Sequence, residues 1–302
     1  MKKYLLSISF AMAVSAATFA QRTPQLSPGA GIMQTVGVTD FTVKYSRPGI
    51  KGRTVFADSS ILAPYGQLWR TGANTPTTFE SSTEFSFAGK KVPAGKYALY
   101  SIPSGAAWTV ILNKNITDGA DAYKEADDVA RVMVSSTSSD FTETFTIDFS
   151  DITDSTAYLN LLWSSVKVPV QISIETEKLT MTALNKAIAE KPEDVSVLQS
   201  AAGYLLRKNK DLPQALSMAD KSIGLKETYS NLWLKAQILT KLGKVSEALP
   251  VAKKALTVGA ASGDGAFASF YKGQIEKGIA EMTAKLPAVK EAASVVKGKK
   301  KK

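Results

Sequence analysis

The hydrophobic period of this chain changes once, near residue 175, and no single kind of secondary structure fits both sides of the change. Before it, apolar and polar residues alternate. Thr39 to Tyr45 puts Phe41, Val43 and Tyr45 on one face and Asp40, Thr42 and Lys44 on the other. Phe141 to Phe149 does the same, with Phe145, Ile147 and Phe149 set against threonines and Asp148. Glu143 falls on that apolar face, which places it near a sheet edge. Further β-rich runs are Phe85–Phe87, Lys96–Ile102, Trp108–Leu112, Val129–Val134, Ala157–Trp163 and Val166–Ile174, with turn signals at Ala88-Gly89-Lys90, Val92-Pro93-Ala94-Gly95 and Ser164-Ser165. Short strands punctuated by Gly and Pro predict an antiparallel β-sandwich over residues 38–175, preceded by an extended lead-in at 21–37.

After Glu177 helix formers dominate, and the spacing predicts helices closed by Lys191-Pro192, then over Val195–Leu206 and Leu212–Ile223. A longer period lies on top. Asp211-Leu212-Pro213-Gln214-Ala215-Leu216 aligns with Lys244-Val245-Ser246-Glu247-Ala248-Leu249, and Ala215 and Ala248 are 33 residues apart, as are Ser222 and Ala255. Small residues recurring at that interval let paired helices approach closely and share one core. The expectation for 178–286 is a tetratricopeptide-like α-hairpin array, with Phe267, Phe270, Tyr271, Ile275 and Ile279 in a degenerate last pair.

The two ends read differently. Lys2 and Lys3, an apolar run from Tyr4 to Ala17, and Thr18-Phe19-Ala20 have the layout of a secretory signal peptide cleaved after Ala20. No later stretch is long and apolar enough to span a bilayer. The expected address is the periplasm or the outside of the cell. Residues 287–302 end in Lys297 and Lys299–Lys302 and read as a solvated, disordered basic tail. The net charge of +10 is unevenly placed: residues 21–175 carry −2, and residues 176–296 carry +5. An exported chain rarely meets nucleic acid, so none is expected as a partner.

Composition removes much chemistry. There is no His and no Cys, so Ser–His–Asp triads, thiol nucleophiles, disulfides and His or thiolate zinc sites are excluded. No phosphate-binding glycine motif or dinucleotide fingerprint is present. The acidic run at 113–128 (Asp118, Asp121, Glu125, Asp127, Asp128) lacks the ligand spacing of a calcium loop and reads as a solvated loop. No metal and no cofactor are expected, and the balance points away from an enzyme.

One irregular stretch remains, Tyr45 to Thr78. It holds Arg47, Lys51, Arg53 and Arg70 within a domain of negative net charge, together with Trp69, Asn74, four glycines and three prolines. Arginines suit bidentate capture of a carboxylate, sulfate or phosphate, and a Trp beside them suits stacking on a sugar. The same residues also suit ordering a long loop, with arginines bonded to carbonyls and the Trp closing one end of the core. A loop of this length inside a compact domain is either functional or disordered, and its composition favours order. Both uses stay open.

Tyr45-Ser46-Arg47-Pro48, Lys51-Gly52-Arg53, Pro64-Tyr65-Gly66, Trp69-Arg70-Thr71-Gly72-Ala73-Asn74, Val92-Pro93-Ala94-Gly95-Lys96-Tyr97 and Trp108-Thr109-Val110-Ile111 together resemble a secreted bacterial family known as domain of unknown function 2911. Asp128-Val129-Ala130-Arg131, Leu161, Trp163 and Val168-Pro169-Val170 extend the resemblance over about residues 25–175. It implies an exported, mostly β domain, often followed by helical repeats, and brings no catalytic residues. The resulting expectation is a non-enzymatic envelope protein. Its β domain would recognise an anionic or sugar-like ligand through Arg47, Lys51, Arg53, Trp69, Arg70 and Asn74, and its helices would dock a protein or peptide. The alternatives are a glycan-acting hydrolase with paired carboxylates and a structural adaptor without a small ligand.

Overall fold

A computed structural model describes residues 23–117 and 122–286. The expected signal peptide, Asp118 and Asp121 of the acidic run, and the basic tail lie outside the described residues. The chain divides into two compact units at Thr176/Glu177, which is where the hydrophobic period changes.

The first unit is made of antiparallel strands. β1 (Gly29–Val36), β2 (Thr39–Ser46), β3 (Thr77–Ser81), β6 (Gly95–Ile102), β7 (Ala107–Asn113) and β8 (Asp128–Ser135) form one sheet in that order. β4 (Phe85–Phe87), β5 (Lys90–Val92), β9 (Thr137–Ser150) and β10 (Thr156–Ser173) form a second, ordered β5-β4-β10-β9. Side chains of the two sheets meet in a cluster of rings. Phe41 on β2 lies 5.4 Å from Phe85 and 6.2 Å from Phe149, centroid to centroid, and Tyr45 lies 5.8 Å from Phe145. Offset and edge-to-face aromatic pairs stabilise by more than their buried area alone.

Three local expectations are corrected. The lead-in contains a full strand, β1, paired residue for residue with β2 from Gly29↔Ser46 to Val36↔Thr39. The Ser164-Ser165 turn is instead a bulge within β10. Ser164 has φ +55°, and the register with β9 slips on both sides of it, so the strand bends and continues. Phe141, at the start of the alternating run, is exposed, while Phe145 and Ile147 are buried. Glu143 is exposed beside them, as its edge placement suggested.

The described part of the second unit contains α1 (Thr176–Glu190), α2 (Val195–Lys208), α3 (Leu212–Leu225), α4 (Tyr229–Lys241), α5 (Val245–Ala261) and α6 (Lys272–Lys285). Local chemistry fixes the starts. Asp194 accepts from the N–H groups of Ser196 and Val197, Asp211 accepts from Gln214, and Thr228 and Asn231 cap each other reciprocally. The 33-residue repeat is visible in the packing, since Ala215, Ser222, Ala248 and Ala255 are all fully buried. α2 packs on α3, α4 on α5, and α2 also meets α4. The expected last pair is not a pair. A π-helical turn, Phe267–Tyr271, runs straight into α6. Gly259 on α5 leaves room for the Phe267 ring, which a Cβ there would overlap.

Candidate functional site

The segment between β2 and β3 is ordered by backbone pairing with both sheets. Pro48 carbonyl accepts from Phe145 N–H at 2.9 Å, and Ile50 N–H donates to Glu143 carbonyl at 3.0 Å, both on β9. Farther on, Trp69 and Ser101 exchange two hydrogen bonds, at 2.7 and 2.9 Å, on β6. The loop therefore ties a strand of one sheet to a strand of the other. It takes conformations that cost energy to hold: Lys51, Thr71 and Asn74 all have positive φ. Gly72 has φ +148°, and a Cβ there would crowd the Thr77 hydroxyl and the Ser46 carbonyl.

The six residues singled out from the sequence do not converge on one cavity. Arg47 lies along β9, with Nε donating to Phe145 carbonyl at 3.0 Å and Nη2 to Thr146 Oγ1 at 2.6 Å. Arg53 curls back on its own turn, donating to the carbonyls of Ile50 and Gly49. Arg70 donates to Asn74 carbonyl at 2.6 Å, and the Asn74 amide donates to Ser27 carbonyl and Ser46 Oγ. Trp69 is buried at 6% exposure, and its Nε1–H donates to Gly72 carbonyl. Its indole stacks on Trp163 at 5.5 Å and meets Trp108 and Phe145 edge-on. A ring so enclosed has no face left for a sugar. Lys51 is exposed, and its backbone N–H donates to Glu143 Oε1. Each arginine of the group thus bonds to main-chain carbonyls, the loop-ordering use of these residues.

The acidic run holds a compact network. The Asp128 carboxylate accepts from Tyr123 Oη at 2.7 Å, Arg131 Nε at 3.1 Å and Asn113 Nδ2 at 2.8 Å. Burial, reinforced by the Asp128 hydrogen bond, pushes the Tyr123 phenol well above its ordinary range. Among the described residues no group of three or more acids is gathered as a metal site would need.

The second unit holds a site that the sequence reading did not resolve into residues. A cavity of about 720 Å³ is lined by α2 (Leu206, Arg207), α4 (Trp233, Gln237, Thr240, Lys241) and α6 (Gln274, Lys277, Gly278, Glu281, Met282, Lys285). A second depression of about 340 Å³ shares Trp233 and Gln237 with it and adds Ser196, Gln199, Ser200, Ser230 and Tyr271. Gly278 makes the floor possible, since a Cβ there would overlap the far edge of the Trp233 ring. Arg207, Lys241 and Lys277 stand 34 and 36 residues apart, close to the repeat length. The sequence reading missed them; the repeat length, followed along the polar face as well as the core, is the signal that would have found them.

Residues 27–172 match the family described as protein of unknown function (DUF2911). The match runs from just before β1 into β10, includes the whole loop between β2 and β3, and ends short of Glu177. No curated protein and no solved structure matches the chain. Two of the motifs that carry the resemblance to DUF2911 tie this loop to the two sheets. Tyr45-Ser46-Arg47-Pro48 docks on β9, and Trp69 to Asn74 closes the ring cluster.

Proposed function

We propose that this is an exported, non-enzymatic binding protein of the cell envelope, in which the helical unit docks a protein segment and the DUF2911 unit serves as a rigid body. In this reading the two sheets are the faces of a sandwich and α2–α6 form a tetratricopeptide-like array. One observation carries it. α2, α4 and α6, alternate helices in the chain, together line one groove over Trp233, and a neighbouring depression between α2 and α4 shares Trp233 and Gln237 with it. Stacked helical pairs use such a surface for extended partners.

The test is site-specific photocrosslinking in the native envelope. A photoreactive residue at Gln237 or Gln274 is expected to capture a partner, and one at Lys253 on α5 is not. Equal capture at all three positions, or none in the groove, overturns the docking reading.

A second reading keeps an anion at the β unit, and one observation favours it. Lys51 and Arg53 are both exposed, and neither is in an ion pair among the described residues. It predicts that sulfate or phosphate raises the melting temperature of the wild type and not that of Lys51→Ala/Arg53→Ala.

A further inference from the structure

The groove in the helical unit has a charge pattern that names its occupant. Arg207, Lys241, Lys277 and Lys285 line it, opposed by a single carboxylate, Glu281. All four cations are exposed, and none is in an ion pair among the described residues. Elsewhere in the second unit some lysines are paired: Lys235 on α4 with Asp220, Lys254 on α5 with Glu227, and Lys210 after α2 with Glu177. Three of the groove cations stand in the last turn of their helix, where they complement the helix dipole. That role does not account for Lys277, which sits mid-helix, nor for convergence of all four on one cavity.

We infer that the groove binds an extended acidic peptide segment of a partner protein. The inference rests on the docking reading above and adds the chemistry of the partner. The cationic end takes Asp and Glu side chains, and half-buried Leu206, beside the edges of Trp233 and Met282 that reach the surface, meets an intervening hydrophobic residue. The neighbouring depression offers the hydroxyls of Ser196 and Ser200 and the amide of Gln237 to the main chain of such a segment, while Gln199 and Ser230 in it are bonded to each other at 2.8 Å. One exposed ion pair contributes little, so recognition depends on several cations acting together and weakens as salt screens them.

The test is selection of random 12-residue peptides displayed on phage, carried out in parallel on the full-length protein and on its Lys241→Glu/Lys277→Glu variant. The expected result is enrichment of Asp and Glu in peptides selected by the wild type, and their replacement by Lys and Arg in those selected by the variant. Synthetic copies of the acidic winners should bind the variant at least tenfold more weakly, and bind the wild type more weakly as sodium chloride rises. Groove-dependent peptides with no acidic bias would overturn this inference and leave the docking reading standing. Absence of any peptide whose binding is blocked by Gln237→Trp/Gln274→Trp would overturn both. Circular dichroism melting shows that each variant is folded.

Discussion

The two cationic clusters of this protein are built in opposite ways. In the β unit, Arg47, Arg53 and Arg70 stand in a stretch whose surroundings are slightly acidic, and each is bonded to main-chain carbonyls. In the helical unit, Arg207, Lys241, Lys277 and Lys285 share one groove, and none of them has an ion-pair partner among the described residues. The difference teaches that density of charge in the sequence does not locate a binding site. What matters is whether the donors are already satisfied. A guanidinium holding two carbonyls fixes a loop, whereas an ammonium facing an open groove is available to a partner.

The largest effect of a single substitution is expected in the β unit. Trp69→Ala removes a buried ring that contacts Trp108, Phe145 and Trp163 and loses the bond to Gly72. A loss of about 3–5 kcal/mol is expected in the denaturant unfolding of that unit, with acidic-peptide binding by the helical unit unchanged. Loss of peptide binding would show that the loop takes part in recognition.

Gly278→Leu drives a side chain into Trp233 at the floor of the groove. Overpacking of this kind costs about 1–3 kcal/mol, and the same change should weaken peptide binding, because it deforms the surface between α4 and α6. Arg47→Ala leaves the Phe145 carbonyl and the Thr146 hydroxyl without their partner and should cost about 1–2 kcal/mol in thermal unfolding. Arg47→Lys should not restore it, since an ammonium lacks the planar fork that reaches both acceptors.

The smallest effect is a pH dependence at the Tyr229–Asp264 hydrogen bond, 2.6 Å long. Donation from Tyr229, helped by the Ala266 N–H, holds the Asp264 carboxyl below its ordinary range. Its contribution is therefore present above the unfolded carboxyl value and is lost as pH falls through the depressed one. The Tyr229 phenol is pushed up to about 12, first by the hydrogen bond to Asp264. Its contribution is complete below the ordinary phenol value and is lost as pH rises through about 12. Tyr229→Phe should flatten both limbs of the melting temperature against pH. Unchanged limbs would show that the bond is not formed in solution.

Much of the fold was legible because local patterns carried it. The alternation of Phe41, Val43 and Tyr45, and that of Phe145 and Ile147, mark buried strand faces. Runs of helix formers mark α2 and α3 from Val195 and Leu212, and the structure adds Asp194, Asp211 and Thr228 as the caps that start α2, α3 and α4. β1 escaped because GAGIMQTV is Gly-rich and alternates small residues, so its pairing with β2 leaves little local trace. Ser164-Ser165 has turn chemistry, and only the resumption of pairing between β10 and β9 beyond the two register shifts shows that it bends a strand without reversing it. The role of Arg47 was hidden for another reason. Its acceptors are a carbonyl and a hydroxyl 98 and 99 residues away, and a carbonyl carries no sequence signature. The groove was half legible. The repeat told where small residues pack, but Arg207, Lys241 and Lys277 emerge only when that repeat is read on the exposed face.

The most direct measurement sets the two clusters side by side in one titration. Arg53→Ala/Arg70→Ala and Lys241→Ala/Lys277→Ala are each examined by calorimetry for melting and for binding of a selected acidic peptide. The first pair is expected to lower the melting temperature of the β unit and to leave peptide affinity within twofold of wild type. The second pair is expected to leave melting unchanged and to lower affinity at least tenfold. The reverse pattern, peptide affinity lost with Arg53 and Arg70 and kept without Lys241 and Lys277, would contradict the contrast between the two clusters.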